Sequence, residues 1–194
     1  MKTIKLVFLL LFMLVSSAIY AQNFELILLG GMNASQINGD KLAGFDKVSY
    51  HAGAGIRRTL TSNTSLQFEI MYSRKGSRDV ATSYDPVQDT LFRFNYIDIP
   101  VLATFRVYQQ LYVQGGIYAG VLVNASYDDG VIVSDKTSDL YRLDWGVAGG
   151  LEYRINPKWL ANLRVSQSVL DINKQAFTAY YNLVSSLGIR YIIQ

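Results

Sequence analysis

The sequence predicts an all-β fold, an eight-stranded antiparallel up-and-down transmembrane β-barrel. Three observations predict it: a side-chain period of two along unusually long segments, connections that alternate short and long, and an export signal at the amino terminus. The first is plainest between residues 140 and 155. Tyr141, Leu143, Trp145, Val147, Leu151, Tyr153 and Ile155 share one face there, and Arg142, Asp144, Glu152 and Arg154 share the other. Successive strand side chains point to opposite sides, so this strand separates two environments. A barrel strand crossing a bilayer needs about ten such residues, apolar toward lipid and polar toward the lumen. Alternation does not say which face is inside, because a soluble ligand-binding barrel has the same period.

Eight segments carry the pattern: residues 24–37, 48–60, 64–77, 90–107, 111–126, 140–155, 158–171 and 177–193. None has a sustained helical period. The second puts His51 and Arg57 on its polar face with Gly53 and Gly55, the third Glu69, and the fourth Asp98 and Arg106. The fifth contributes Gly116 and Gly120, the sixth Asp144, Glu152 and Arg154 with Gly146 and Gly150, the seventh Arg164 and the eighth Arg190. An eight-stranded lumen is just wide enough for side chains to fill, so long charged groups require small neighbours. Both signs of charge are present, and burial requires that they pair. The polar face therefore reads as a plugged, salt-bridged interior; a gate or narrow ion path is the alternative use of the same residues. Pro100 in Asn95-Tyr96-Ile97-Asp98-Ile99-Pro100-Val101 removes one ladder donor and predicts a bulge beside Asp98.

Three connections are short: Thr61-Ser62-Asn63, Tyr108-Gln109-Gln110 and Asn156-Pro157. Each suits a tight turn. Those at 38–47, 78–89, 127–139 and 172–176 are longer and polar. Every second connection of an up-and-down barrel lies at the same end, so one rim receives turns and the other loops. In outer-membrane barrels the turns and both termini are periplasmic. Outward aromatic residues divide between the ends, with Phe105, Tyr153, Trp159 and Tyr191 near the turns and Tyr50, Tyr72, Tyr141 and Tyr181 near the loops. Tyr181 and Tyr191 lie ten residues apart. At about 3.3 Å per residue and about 40° tilt they span roughly 25 Å along the axis, the height of an apolar band between two aromatic girdles.

Lys2 and Lys5 precede an apolar run from Leu6 to Val15 and a small-residue stretch, which reads as a secretory signal peptide over residues 1–21. Cleavage after Ala21 fits best, and Ala18 is the second site. The barrel domain then spans residues 22–194. Loss of the leader and its two lysines leaves sixteen basic against fifteen acidic residues, so the basic pI gives no case for nucleic acid. The absence of cysteine excludes disulfides and thiolate chemistry.

Four pieces together resemble the outer-membrane β-barrel family named after PorT, common in Bacteroidetes: residues 31–35 (Gly-Met-Asn-Ala-Ser), 66–76 (Leu-Gln-Phe-Glu-Ile-Met-Tyr-Ser-Arg-Lys-Gly), 95–102 (Asn-Tyr-Ile-Asp-Ile-Pro-Val-Leu) and 112–120 (Tyr-Val-Gln-Gly-Gly-Ile-Tyr-Ala-Gly). The resemblance implies an eight-stranded barrel inserted by the barrel-assembly machinery into the outer membrane of a Gram-negative cell. It implies little about activity; the family's namesake is associated with secretion and gliding. Barrels of this kind often end in an aromatic residue, whereas this chain ends Tyr191-Ile192-Ile193-Gln194.

Three functional readings follow. A non-enzymatic barrel would present its loops to the surroundings or a partner, a secretion component would dock other proteins, and a lipid-modifying enzyme would use Ser49 and His51, which share a face. Residues two apart on a strand are about 7 Å apart at Cα, and no orienting carboxylate is assignable, so no catalytic residue is named. Asp128, Asp129, Asp135 and Asp139 crowd one loop without the spacing of a dedicated calcium site, and no cofactor or metal is expected.

Overall fold

The computed structural model describes residues 24–38, 47–79, 90–174 and 179–193. The expected leader and parts of three loops lie outside the described residues. The strands are β1 (Phe24–Asn38), β2 (Lys47–Thr59), β3 (Thr64–Asp79), β4 (Thr90–Arg106), β5 (Leu111–Asp128), a three-residue β6 (Val133–Asp135), β7 (Leu143–Arg154), β8 (Trp159–Ser168) and β9 (Tyr181–Ile193). Every pairing is antiparallel. β1 bonds both β2 and β9, while β4 bonds β5, so β1–β5 and β7–β9 close into an eight-stranded barrel without a free edge. β6 belongs to none of the eight staves. It folds back on the end of β5, pairing Ser126 with Asp135 and Asp128 with Val133.

The tight turns have local causes. Thr61 Oγ1 accepts from the amides of Asn63 and Thr64. The chain reverses after Val107 through paired bonds between Tyr108 and Leu111. Asn156 Oδ1 accepts from the amides of Lys158 and Trp159 at 2.9 and 3.0 Å, so the asparagine closes an Asx-type turn around Pro157, which has no amide hydrogen to satisfy. All three turns lie at the end where Phe24 pairs with Arg58 and Leu26 with Ile193.

The barrel is inside out relative to a soluble one. Arg57, Glu69, Asp144, Glu152 and Arg190 are buried, while Met32, Ile117, Val147, Leu187 and Ile189 are more than half exposed. Soluble monomers rarely expose a contiguous apolar patch beyond a few hundred Å², and this band encircles the molecule. The alternation is thereby resolved, with the charged face in and the apolar face out. Three apolar clusters complete the interior: Ile27, Leu160 and Ile192 at the turn end, Leu102, Tyr118 and Ala148 midway, and a larger one around Phe94, Tyr96, Leu122, Leu140 and Ile172 at the loop end.

Two expectations are corrected. Pro100 produces no bulge. The β3–β4 register is the same from Phe68↔Val101 to Met71↔Asp98, with only the pairs at the missing donor lapsing, because its other neighbour, β5, holds Pro100 opposite Tyr118. The bulge lies instead in β5, where Asn95 pairs with Asn124 but Tyr96 with Leu122. Val123 is thereby extra, and Val123 and Asn124 both face outward. The strand through Tyr141 is also shorter than its period suggests. β7 begins at Leu143, and Arg142, read as inward, is exposed because the Tyr141 amide already donates to the Ile172 carbonyl outside the barrel ladder.

Candidate functional site

Inward positions stack into two ionic layers. In the turn-side layer, Glu69 accepts from Arg164 Nη1 at 2.8 Å and Nη2 at 2.9 Å, a two-pronged contact, and from Arg190 Nη2 at 2.7 Å. Arg190 also bonds Glu152, which takes Arg57 Nη2 at 2.5 Å. Gln67 Oε1 accepts from Arg57 Nε and Nη2 at 3.0 and 2.8 Å, and the Gln67 amide donates to Glu69. Six staves contribute, since Gln114 of β5 accepts from Arg190. Three guanidiniums face two carboxylates.

The loop-side layer reverses that ratio. Lys75 Nζ donates to Asp98 Oδ1 at 2.9 Å and lies 3.4 Å from Asp144 Oδ2. Asp144 further accepts from Tyr118 OH, Ser168 Oγ and Asn182 Nδ2. The ammonium sits 4.6 and 4.7 Å from the Tyr96 and Tyr118 ring centroids, between two aromatic faces. Taken together the two layers balance in charge, which is what a dry interior demands. Between them His51 Nδ1 lies 2.8 Å from Asn33 Oδ1, which also accepts from Ser186 Oγ. The cavity beside His51 is ≈ 10 Å³, room for about one water.

Of nine charged residues expected in the lumen, the structure brings seven into these layers. Arg106 and Arg154 stay at the turn-end mouth, where the strands leave the barrel. Arg106 is exposed and donates to Asn63 Oδ1 at 2.7 Å, so its inward reading is corrected. Arg154 is half-buried with its guanidinium 5.5 Å from the Tyr112 ring centroid. Lys75 and Lys47 are buried cations that the sequence reading passed over. Their parity marks them, because Lys75 is six residues from Glu69 and Lys47 ten from Arg57, on the same faces.

Glycine has a sharper role than spacing the charges. A Cβ at Gly146 would collide with the Tyr118 ring and the Gln167 carbonyl; at Gly120 it would lie 2.6 Å from Asp98 Oδ1. At Gly116 and Gly150 the obstacle is the backbone carbonyl of the neighbouring strand. The eight aromatic residues expected at the girdles are all exposed or partly exposed, whereas Phe94, Tyr96 and Tyr118 lie inside. Trp159 and Tyr191 pair at 4.8 Å near the turns, and Tyr50 and Tyr72 at 6.0 Å near the loops. Phe105, Tyr141 and Tyr153 are about half exposed, and Tyr181 is partly so.

Ser49 and His51 do not meet as nucleophile and base. Ser49 Oγ donates to the Arg74 carbonyl at 2.6 Å, while His51 is engaged by Asn33. The loop aspartates serve their own backbone. Asp129 Oδ1 accepts from the amides of Val131 and Ile132, Asp128 Oδ1 from Gly130 and Asp135 Oδ1 from Thr137, while Asp139 pairs with Lys136 at 3.2 Å. At this rim Phe92, Phe94, Tyr127 and Tyr180 border a hollow of ≈ 320 Å³.

A family profile described as outer membrane protein beta-barrel domain matches residues 20–174. No curated protein matches in sequence. Among solved structures, Neisserial surface protein A is 15% identical with a TM-score of 0.60, over 86% of this chain and 96% of that one. The attachment invasion locus protein Ail of Yersinia pestis is 14% identical with a TM-score of 0.53, over 87% and 98%. At such identities the likeness is one of fold.

Proposed function

Because the chain belongs to the family of outer membrane protein beta-barrel domains, we propose that it is an exported, non-enzymatic barrel closed to ions. It stands in the outer membrane with both termini periplasmic and its loop rim outside, available for surface or partner contacts. The observation that carries this reading is the filled lumen: two charge-paired layers lie between an apolar cluster at each end. An ion path would have to strip those pairs from one another at a cost of several kcal/mol. What remains for function is the rim, where the β5–β6 hairpin stands beside an aromatic hollow of a size that small ligands occupy. The outward band meets lipid, with its paired aromatics at the two interfaces, and insertion falls to the barrel-assembly machinery.

The chain has no cysteine, so single reporters are unambiguous. Val131→Cys at the loop rim should react with a membrane-impermeant maleimide on intact cells, and Ser62→Cys at a turn should react only after the outer membrane is opened. The reverse pattern would overturn the orientation. Purified protein in a planar bilayer should give no stepwise conductance; steady openings would overturn the closed lumen. The narrower likeness to the PorT-named family favours a second reading, a secretion-assembly component, which co-purification of a periplasmic or outer-membrane partner after crosslinking in cells would support.

A further inference from the structure

The β2–β3 ladder ends at His51↔Ser73, although β1 still pairs with β2 as far as Lys47 and β3 with β4 as far as Asp79. The wall therefore forks toward the loop end. Side chains replace the lost ladder bonds: the Arg74 carbonyl accepts from Ser49 Oγ and Asn33 Nδ2, and Lys47 Nζ donates to the Lys75 and Phe92 carbonyls. Gly76 permits the irregular course with φ of 136°, a conformation other residues resist. The fork leaves a cleft of ≈ 470 Å³. Among the described residues that line it, Lys47, Arg74, Arg78 and Arg93 are cationic and none is acidic. Arg93 is shared with Asp128 at 3.0 Å, and Arg74 Nε is buried without a hydrogen-bond partner among the described residues.

We propose that this cleft holds the phosphate of an outer-leaflet lipid headgroup. Arginine forks match phosphate oxygens, and Lys47 closes the floor through its bonds to the Lys75 and Phe92 carbonyls. The cleft opens on the apolar outer wall, bordered by Val48 and Tyr50, both at least half exposed, above the Tyr50–Tyr72 pair. An occupant must accordingly join an anionic group to acyl chains, which a lipid does and a free anion does not. The leaflet rests on the proposed outward orientation of the loop rim; the site itself does not.

The test uses protein purified from membranes and placed in phosphatidylcholine nanodiscs doped with a bisphosphorylated glycolipid or its phosphatase-treated form. Discs expose both rims, so the result is independent of orientation, which the cysteine reporters decide. Native mass spectrometry should show the phosphorylated form retained about tenfold over the dephosphorylated one, about 1.4 kcal/mol. Arg74→Gln, Arg78→Gln and Arg93→Gln together should bring the ratio near one, whereas Arg58→Gln with Lys158→Gln at the turn end should leave it unchanged. Should the triple variant fail to fold, loss of the wild-type ratio in high salt carries the same information. A wild-type ratio of one, or displacement of the glycolipid by millimolar inorganic phosphate, would overturn the proposal.

Discussion

Lys75 Nζ lies 2.9 Å from Asp98 Oδ1, and neither side chain is more than 4% exposed. The two come from adjacent staves, but Asp98 is opposite Met71 in the ladder, so Lys75 must lean back along the barrel to reach it. Doing so brings its ammonium between Tyr96 and Tyr118 and within reach of Asp144 across the lumen. One cation thus holds together strands that are not neighbours.

Truncating that cation should be costly in a way that neutralising the whole group is not. Lys75→Met leaves Asp98 and Asp144 buried without a counter-charge, and breaking a buried pair on one side costs about 3–5 kcal/mol. Lys75→Met combined with Asp98→Asn and Asp144→Asn removes the uncompensated charge and should recover most of that loss. Urea unfolding in detergent micelles measures both; equal destabilisation would show that packing, not charge, dominates the layer.

The turn-side layer makes a different prediction because its cations are in excess. Glu69→Ala with Glu152→Ala leaves Arg57, Arg164 and Arg190 facing one another around emptied volume. The loss of stability should exceed that of Lys75→Met, and planar bilayers should show a small anion-selective leak absent from the native protein. Arg106→Ala, at an exposed rim position, should stay within about 0.5 kcal/mol of the parent.

The architecture was legible because a membrane barrel writes one rule over its whole length: parity gives the face, and connection length gives the end. Glu69, Asp98 and Arg164 obey that rule deep within staves. The rule weakens where strands emerge from the wall, which is why Arg106 and Arg142 share inward parity yet stay exposed. Lys47 fails in the opposite sense, a polar residue one place before the expected second strand, whereas Lys75 lies within the expected third strand at an inward parity that its neighbours Ser73 and Ser77 share. The bulge at Val123 was hidden because Leu122-Val123-Asn124 contains no glycine or proline, whereas Pro100 drew attention to a ladder that tolerates it. The segments 31–35, 66–76, 95–102 and 112–120 put Asn33, Glu69, Lys75, Asp98 and Tyr118 in the lumen, so those segments speak to how the interior is filled and not to what the loops contact.

Two glycines three residues apart on β7 should respond oppositely to a methyl group. Gly146→Ala drives a Cβ into the Tyr118 ring and the Gln167 carbonyl, and overpacking of this kind costs about 1–3 kcal/mol. Gly149→Ala faces outward, where the nearest atom is the Gln114 carbonyl oxygen at 3.8 Å, and should be neutral or stabilising through reduced chain entropy. The temperature at which the folded band is lost on a detergent gel ranks the two against the parent. Adding Tyr118→Leu to Gly146→Ala should recover only part of the loss, because the carbonyl remains.

The rim hairpin should resist acid further than an ordinary carboxylate turn. Hydrogen bonds from the Ile132 and Val131 amides hold Asp129 below its usual range, and those from Thr137, side chain first, do the same for Asp135. A folded-state pKa below the unfolded value means that the ordering contribution is present above the unfolded pKa of about 4 and is lost as pH falls through the lower folded one. The amide resonances of Val131, Ile132 and Thr137 in micelles should therefore hold their positions from neutral pH through about pH 4 and move only below it. Asp129→Asn, which keeps an accepting oxygen but removes the titration, should abolish the shift at Val131 and Ile132 while leaving Thr137 to respond to Asp135. Movement of all three amides at about pH 4 in the parent would show that the carboxylates are not engaged by the backbone.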